Sequence, residues 1–223
     1  MPILYLHGFA SGPQSKKGVE FEAHFARTGI AIQRLDLRVP SFEHLRLSAM
    51  IDTVRGAIDH ATSQMSLGAK HRTVLIGSSL GGLTAARVAE RDDRVTALVL
   101  LAPAFQLADR WREALGEAAW RDWQATGWRE VDDYTTGGTS RVDFGFVQDV
   151  ERIDVGYPNI TIPTLVLHGR NDEVVPVERS RRFAAGKPNV RLIELDDGHE
   201  LVASLPRLLA ETETFLDRLA MPA

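Results

Sequence analysis

Short apolar runs alternate along the chain with longer stretches in which apolar residues recur every three or four positions. Residues 3–6, 30–35, 73–76, 95–101, 164–167 and 190–195 are brief and rich in Val, Ile and Leu. Several are apolar on successive residues, which is the pattern of a strand covered on both faces. Between them, residues 16–27, 42–65, 80–91, 177–185 and 205–219 carry the helical period. Strand and helix in alternation predict an α/β fold, a mostly parallel sheet of about six strands flanked by helices on both faces. Right-handed crossovers then leave few topologies.

One region breaks the rhythm. Between residues 105 and 157 the distance between strands far exceeds an ordinary crossover, and all four tryptophans, Trp111, Trp120, Trp123 and Trp128, fall inside it. Residues 106–125 read as a helix. Residues 128–134 and 141–146 flank Thr135-Thr136-Gly137-Gly138-Thr139 and read as a hairpin. The whole chain, 1–223, is therefore read as a single domain with a small cap insertion, helix plus hairpin, over 105–157. A longer crossover packed into the core is the alternative.

Composition narrows the partners. With 44% hydrophobic and 25% charged residues the chain is ordinary globular material, and 223 residues fill one core rather than two. A formal charge of -4 favours neither a phosphate backbone nor an anionic lipid surface, so nucleic acid and membrane are not expected partners. The absence of cysteine removes disulfides, thiolate metal sites and cysteine nucleophiles, and fits a reducing compartment. The apolar run at the amino terminus stops at Leu6 with no basic residue before it, unlike a signal peptide or an anchor, so the expected location is cytoplasmic.

The chemistry gathers at three places, each just past an apolar run. Gly77-Ser78-Ser79-Leu80-Gly81 lies between a strand and a helix. A nucleophilic serine must stand clear of its own backbone, which a strained strand-to-helix turn achieves, and that turn crowds the residues two before and two after it. The bland reading is a glycine-rich turn with a capping serine. Ser79 needs a base, and of the seven histidines His199 is the one on a loop after a strand and before the last helix. His24, His44, His60 and His71 lie in or beside amphipathic stretches and read as solvated or half-buried. Asp172, past the fifth core run, is the favoured partner for the imidazole over Glu173, Asp196 and Asp197, the last two being too near His199 in sequence to reach its far nitrogen. Two backbone N–H groups, of Leu80 and of Phe9 in His7-Gly8-Phe9-Ala10, are placed to receive a developing oxyanion. His7 and His168 are read as structural.

Together Leu6-His7-Gly8-Phe9, the elbow, His168-Gly169-Arg170-Asn171-Asp172 and Asp197-Gly198-His199 resemble the α/β-hydrolase superfamily over nearly the whole chain. Tyr5 to Gly18, Tyr-Leu-His-Gly-Phe-Ala-Ser-Gly-Pro-Gln-Ser-Lys-Lys-Gly, looks more narrowly like the small bacterial YqiA-like esterases, which start at the strand carrying the oxyanion loop. The resemblance implies an α/β-hydrolase fold, a Ser79–Asp172–His199 triad with Phe9 and Leu80 as oxyanion donors, and carboxylesterase activity with thioesterase activity in some members. Residues 105–157 are longer than a minimal member needs.

The expected function is thus hydrolysis of a small acyl ester or thioester through an acyl-enzyme on Ser79, with neither metal nor organic cofactor. A carbon–carbon bond hydrolase or a peptidase would use the same triad. A binding protein that kept the fold and lost catalysis is the reading from another class. Trp111, Trp120 and Trp123 are the candidate pocket residues, and the oligomeric state is not legible.

Overall fold

The computed structural model describes residues 1–63 and 72–220. Strands β1 (Ile3–Leu6), β2 (Ile32–Leu35), β3 (Thr73–Ser78) and β4 (Val95–Leu101) are followed by β5 (Trp128–Asp133) and β6 (Gly138–Asp143), then by β7 (Thr164–Gly169) and β8 (Val190–Leu195). The helices are α1 (Lys16–Ala26), α2 (Leu47–Ser63), α3 (Leu80–Ala89), α4 (Leu107–Thr126), α5 (Gly145–Ile153), α6 (Val177–Ala184) and α7 (Leu205–Ala220). Six strands form one sheet in the order β2-β1-β3-β4-β7-β8, every pairing parallel. β5 and β6 form a separate antiparallel hairpin.

The successive apolar residues of the central strands β1, β3, β4 and β7 divide between two layers, as side chains alternating across a pleat must. Leu4, Leu6, Leu75, Leu98, Leu100 and Val166 pack on one face with Met50, Val54, Leu83 and Phe183. Ile3, Tyr5, Ile76, Val99, Leu165 and Leu167 pack on the other with Phe21 and Phe25 of α1 and Leu208 and Leu216 of α7. The expected parallel sheet with helices on both faces is the observed architecture. The chain runs from β1 outward to β2 and then returns to place β3 on the other side of β1. That reversal opens a crevice at the carboxyl ends of β1 and β3, the usual ligand position in such sheets.

Some boundaries differ from the sequence reading. Residues 42–46 do not start α2: they turn tightly, with the Arg46 N–H donating to Val39 O, and bury Phe42 and Leu45. The expected extension of α2 to Met65, and His71, lie outside the described residues. The second arm of the hairpin begins at Gly138 and stops at Asp143, because residues from Gly145 onward are helical. Phe146, Val147 and Val150 bury one face of α5 at helical spacing, and Asp143 Oδ1 accepts the Phe146 N–H. α4 is interrupted at Gly116, whose φ of 74° and ψ of 162° leave the helical region. The hairpin is clamped to the main sheet by Arg38, which forms a two-pronged ion pair with Asp133 at 2.9 and 2.8 Å. Its turn is held against the loop after β1 by the Tyr134 N–H, which donates to Ala10 O.

Candidate active site

Ser79 follows β3 directly and is the residue before α3. Its φ of 52° and ψ of -115° lie in a region that a side chain occupies only under strain. Two close approaches force that turn to be lined by glycine. A Cβ on Gly77 would stand 2.3 Å from Gly81 O, and one on Gly81 would stand 2.2 Å from Leu6 O in β1. The Ser79 hydroxyl makes no capping bond to α3, so the reading as a capping serine does not describe this turn. The Ser79 carbonyl instead accepts N–H groups of Gly82, Leu83 and Ala104, leaving the side chain directed elsewhere.

That side chain meets His199. The Ser79 hydroxyl lies 3.0 Å from His199 Nε2, and His199 Nδ1 lies 2.7 Å from Asp172 Oδ2. A carboxylate only accepts, so Nδ1 carries the proton and Nε2 faces Ser79 with its lone pair. Asp172 is buried, and its other oxygen accepts the N–H groups of Val174 and Val175 at 2.9 and 2.7 Å. Burial pushes the Asp172 carboxyl up, but hydrogen bonds from His168 and His199, the adjacent imidazole charge and the Val175 N–H outweigh it. The net result holds Asp172 well below the ordinary carboxylate range.

The rival acids are engaged elsewhere. Asp196 accepts from the Asn171 side chain, and Asp197 accepts the N–H groups of Gly198 and Ser204 and so shapes the loop that carries His199. Glu173 is exposed and offers its carbonyl to Arg110. His7 does structural work: its Nε2 accepts the Leu37 N–H and its Nδ1 donates to Gly8 O, joining the loops after β1 and β2. Burial lowers the basicity of His7, in keeping with a neutral ring. Of the remaining histidines, His24 pairs with Glu213 and His44 with Asp143, away from Ser79.

The loop after β1 runs against Ser79, and a Cβ on Gly8 would lie 3.3 Å from Ser79 Cβ. Phe9 and Leu80, the two residues assigned as oxyanion donors, both line the cavity that contains Ser79 and His199. Leu80 is the first residue of α3, a position whose N–H has no acceptor within the helix. The cavity has a volume of about 470 Å³, within the range of small-molecule sites. Its apolar wall comprises Phe9, Leu80, Phe105, Leu107, Trp111 and Val175.

Of the three tryptophans assigned to the pocket, Trp111 alone is part of that lining. Trp120 and Trp123 are buried behind it, against Phe144, and the Trp123 indole N–H donates to Val142 O in the hairpin. The break at Gly116 separates Trp111 from the other two, so no single helical face relates them. Trp123 backs Trp111, with ring centroids 5.7 Å apart, and Trp111 in turn stands edge-on to Phe9 at 4.9 Å.

Three residues contribute in ways that the sequence did not assign to them. His168 Nε2 donates to Asp172 Oδ2 and Val175 O, and its Nδ1 faces the Ser180 hydroxyl, so it is a second donor that orients the acid. Its place four residues before Asp172 was the available signal. Arg110 donates to the carbonyls of Glu173 and Val174 and ties α4 to the loop bearing Asp172. Lys17, whose ammonium donates to Glu200 O next to His199, sits at the second position of α1 behind the Ser15 cap. Arg112 and Arg121, by contrast, pair with Glu117 on an exposed helix face.

The model of the family described as "Uncharacterised protein family (UPF0227)" matches residues 2–215. The chain belongs to that family. This UPF0227 chain is also 25% identical to mouse "Palmitoyl-protein thioesterase ABHD10, mitochondrial" over 228 residues, covering 98% of the chain and 76% of the relative. Among solved structures, alpha/beta hydrolase domain-containing protein 10 from mouse superposes with a TM-score of 0.78 at 24% identity, covering 98% and 90% of the two chains. Est1E from Butyrivibrio proteoclasticus, solved with ferulic acid bound, superposes with a TM-score of 0.80 at 23% identity, covering 99% and 90%. At these identities the structural likeness establishes the α/β-hydrolase fold.

Proposed function

We propose that this protein is a serine hydrolase that cleaves small carboxylic esters or thioesters through an acyl-enzyme on Ser79. The observation that carries the reading is the unbroken line Asp172 Oδ2, His199 Nδ1, His199 Nε2, Ser79 Oγ, with links of 2.7 and 3.0 Å at the floor of a cavity. In acylation, Ser79 Oγ bonds to the substrate carbonyl carbon while its proton passes to His199 Nε2. The carbonyl oxygen takes the negative charge, facing the N–H groups of Phe9 and Leu80. Collapse breaks the bond to the alcohol or thiol, which leaves with the proton from His199. Water then gives a proton to His199 and attacks the acyl carbon, and the acid departs as the proton returns to Ser79. Asp172 steadies the imidazolium and remains ionised throughout.

Residues 105–157 act in this reading as a cap that walls the acyl side, with Trp111 in contact with substrate and the hairpin as its support. Both the ester and the thioester reading have an observation in favour: the ferulic acid complex of Est1E, and the name of the mouse thioesterase relative. The same machinery serves both leaving atoms. A fluorophosphonate probe tests the proposal directly. Folded protein is expected to label at one serine and the Ser79→Ala variant not at all; equal labelling of the two would overturn it. Rates on p-nitrophenyl esters against acyl-CoA thioesters then rank the two substrate classes.

A further inference from the structure

The cavity straddles the carboxyl edge of the sheet, and its two walls differ in chemistry. Phe9, Phe105, Leu107, Trp111 and Val175 belong to the apolar layer on one face. The other wall is built on the opposite face, from Tyr5, Ser15, Lys16, Lys17, Ser78 and Glu200. It opens on the amino terminus of α1, an eleven-residue helix with no acidic residue in its first turn. First-turn N–H groups and the positive end of the helix dipole therefore face the cavity without a carboxylate of their own to complement them. Ser15 caps the helix only loosely, its Oγ accepting the Gly18 N–H at 3.4 Å.

Two side chains on this wall are poised toward a ligand. Tyr5 is 1% exposed and lines the cavity, and its hydroxyl is enclosed beside the Ser15 and Ser78 hydroxyls without a well-formed hydrogen bond to either. A buried hydroxyl left unpaired is costly, so a partner is owed to it. Lys17 has a side chain only 12% exposed. Its ammonium uses one N–H on Glu200 O at 2.7 Å, while the Glu200 carboxylate is 3.9 Å away on a side chain 75% exposed. So exposed a carboxylate holds weakly and yields its place readily to a better-placed anion. Burial holds the Lys17 ammonium below its ordinary basicity, against the opposing pull of Glu200, Asp197 and Asp172.

We propose that this wall is an oxyanion-group subsite, which takes a carboxylate or phosphate carried on the leaving group of the ester or thioester. The inference rests on the serine-hydrolase reading above and names the substrate class of that same site. The leaving atom must receive its proton from His199 Nε2, so the leaving group exits on the His199 side. Lys17 grips the residue next to His199, which puts the cationic wall on that side and the apolar wall on the acyl side. The Lys17 ammonium, the Tyr5 and Ser15 hydroxyls and the first-turn N–H groups of α1 are the donors offered to the anion.

The test uses the full chain and three butyrate esters of phenol that differ only at the meta position: a carboxylate, a phosphate and a neutral carboxamide. The wild type should favour at least one anionic ester over the carboxamide by roughly tenfold or more in kcat/KM, the scale of a charge-assisted contact. That preference should shrink as ionic strength rises from about 20 to about 500 mM. Lys17→Met should bring the ratio close to one, Tyr5→Phe should lower it part of the way, and Lys17→Arg should retain more of it than Lys17→Met. The ratio cancels any general effect on the His199 loop. The faster of the two anionic esters identifies which anion the wall was built for. A wild-type ratio of one or below, or a ratio untouched by Lys17→Met, would overturn the subsite; if that variant does not fold, Tyr5→Phe and the salt series decide. Ser79-dependent turnover of the carboxamide ester with no anionic preference defeats the subsite alone, whereas no turnover of any ester and no fluorophosphonate labelling defeats the serine-hydrolase reading.

Discussion

Replacing Asp172 with Asn changes one atom and reverses the polarity of the two imidazole contacts made at Oδ2. Asp172 Oδ1 accepts two backbone N–H groups, from Val174 and Val175, so the amide oxygen of Asn must stay there. The amide NH2 then occupies the place of Oδ2, where His199 Nδ1–H and His168 Nε2–H both point. Donors facing donors cannot persist in a buried site. The cheapest relief is for His199 to move its proton from Nδ1 to Nε2, which removes the lone pair that faces the Ser79 hydroxyl. Loss of the correct tautomer at such a triad lowers kcat by about 10⁴-fold. That equals about 5 kcal/mol of barrier. His168 retains Val175 O as an acceptor, so the stability cost is about 1–3 kcal/mol for one unpaired buried group. Initial rates on p-nitrophenyl butyrate at saturating substrate, with urea unfolding of the same samples, measure both quantities. A variant that folds and keeps more than a tenth of wild-type kcat would refute the reasoning. So would an Asp197→Asn variant crippled more severely than Asp172→Asn.

The other predictions address packing and electrostatics. Gly81→Ala places a methyl 2.2 Å from a β1 carbonyl that the sheet holds still, so the variant should lose about 3 kcal/mol or more in urea unfolding; a loss below about 1 kcal/mol would show that β1 can move. Trp123→Ala should destabilise by about 3–5 kcal/mol as a core truncation. Trp111→Ala should instead mainly raise KM and alter acyl-length preference, and equal stability losses for the two would contradict the division between support and wall. Asp133, hydrogen-bonded by Arg38 against the opposing effect of burial, has its pKa lowered from 3.8 to about 2. A depressed carboxyl contributes stability that is complete above its unfolded value and lost as pH falls toward the folded one, here between about pH 4 and pH 2. With solvent screening at a partly exposed arginine the contribution is about 1 kcal/mol, and Asp133→Asn should remove that much of the acid-dependent loss seen by denaturant unfolding across this window.

Much of the sheet was legible in the chain because its cause is local. Strands buried on both faces need apolar residues in succession, and β1 and β4 begin and end where those runs do. The elbow was legible for the same reason, since Gly77 and Gly81 answer to close approaches within and beside a single turn. Boundaries slipped where a long-range contact overrode the local pattern. Residues 42–46 have helical spacing, yet Phe42 and Leu45 are drawn into the core beside Phe9, and α2 starts only at Leu47. Phe144 and Phe146 look like strand residues, but the Asp143 carboxylate accepts the Phe146 N–H at the start of a helix whose buried face needs Phe146.

Residue types and chain order determined which groups were capable of proton transfer: a serine on a strained turn, a histidine and an acid each just past a strand. Whether they meet is a matter of strand order, and only the sheet brings together residues 120 and 27 positions apart in the chain. The division among the tryptophans was likewise invisible in the sequence, because the backbone at Gly116 leaves the helix between Trp111 and Trp120 and no periodicity carries across it. The same holds for Tyr5 and Lys17: Tyr5 stands near Ser78 because β1 pairs with β3, and Lys17 reaches Glu200 because α1 packs on the sheet face that α7 also covers. Local sterics and solvation are written in neighbouring residues; the convergence of distant loops is decided by packing, which sums over the whole chain at once.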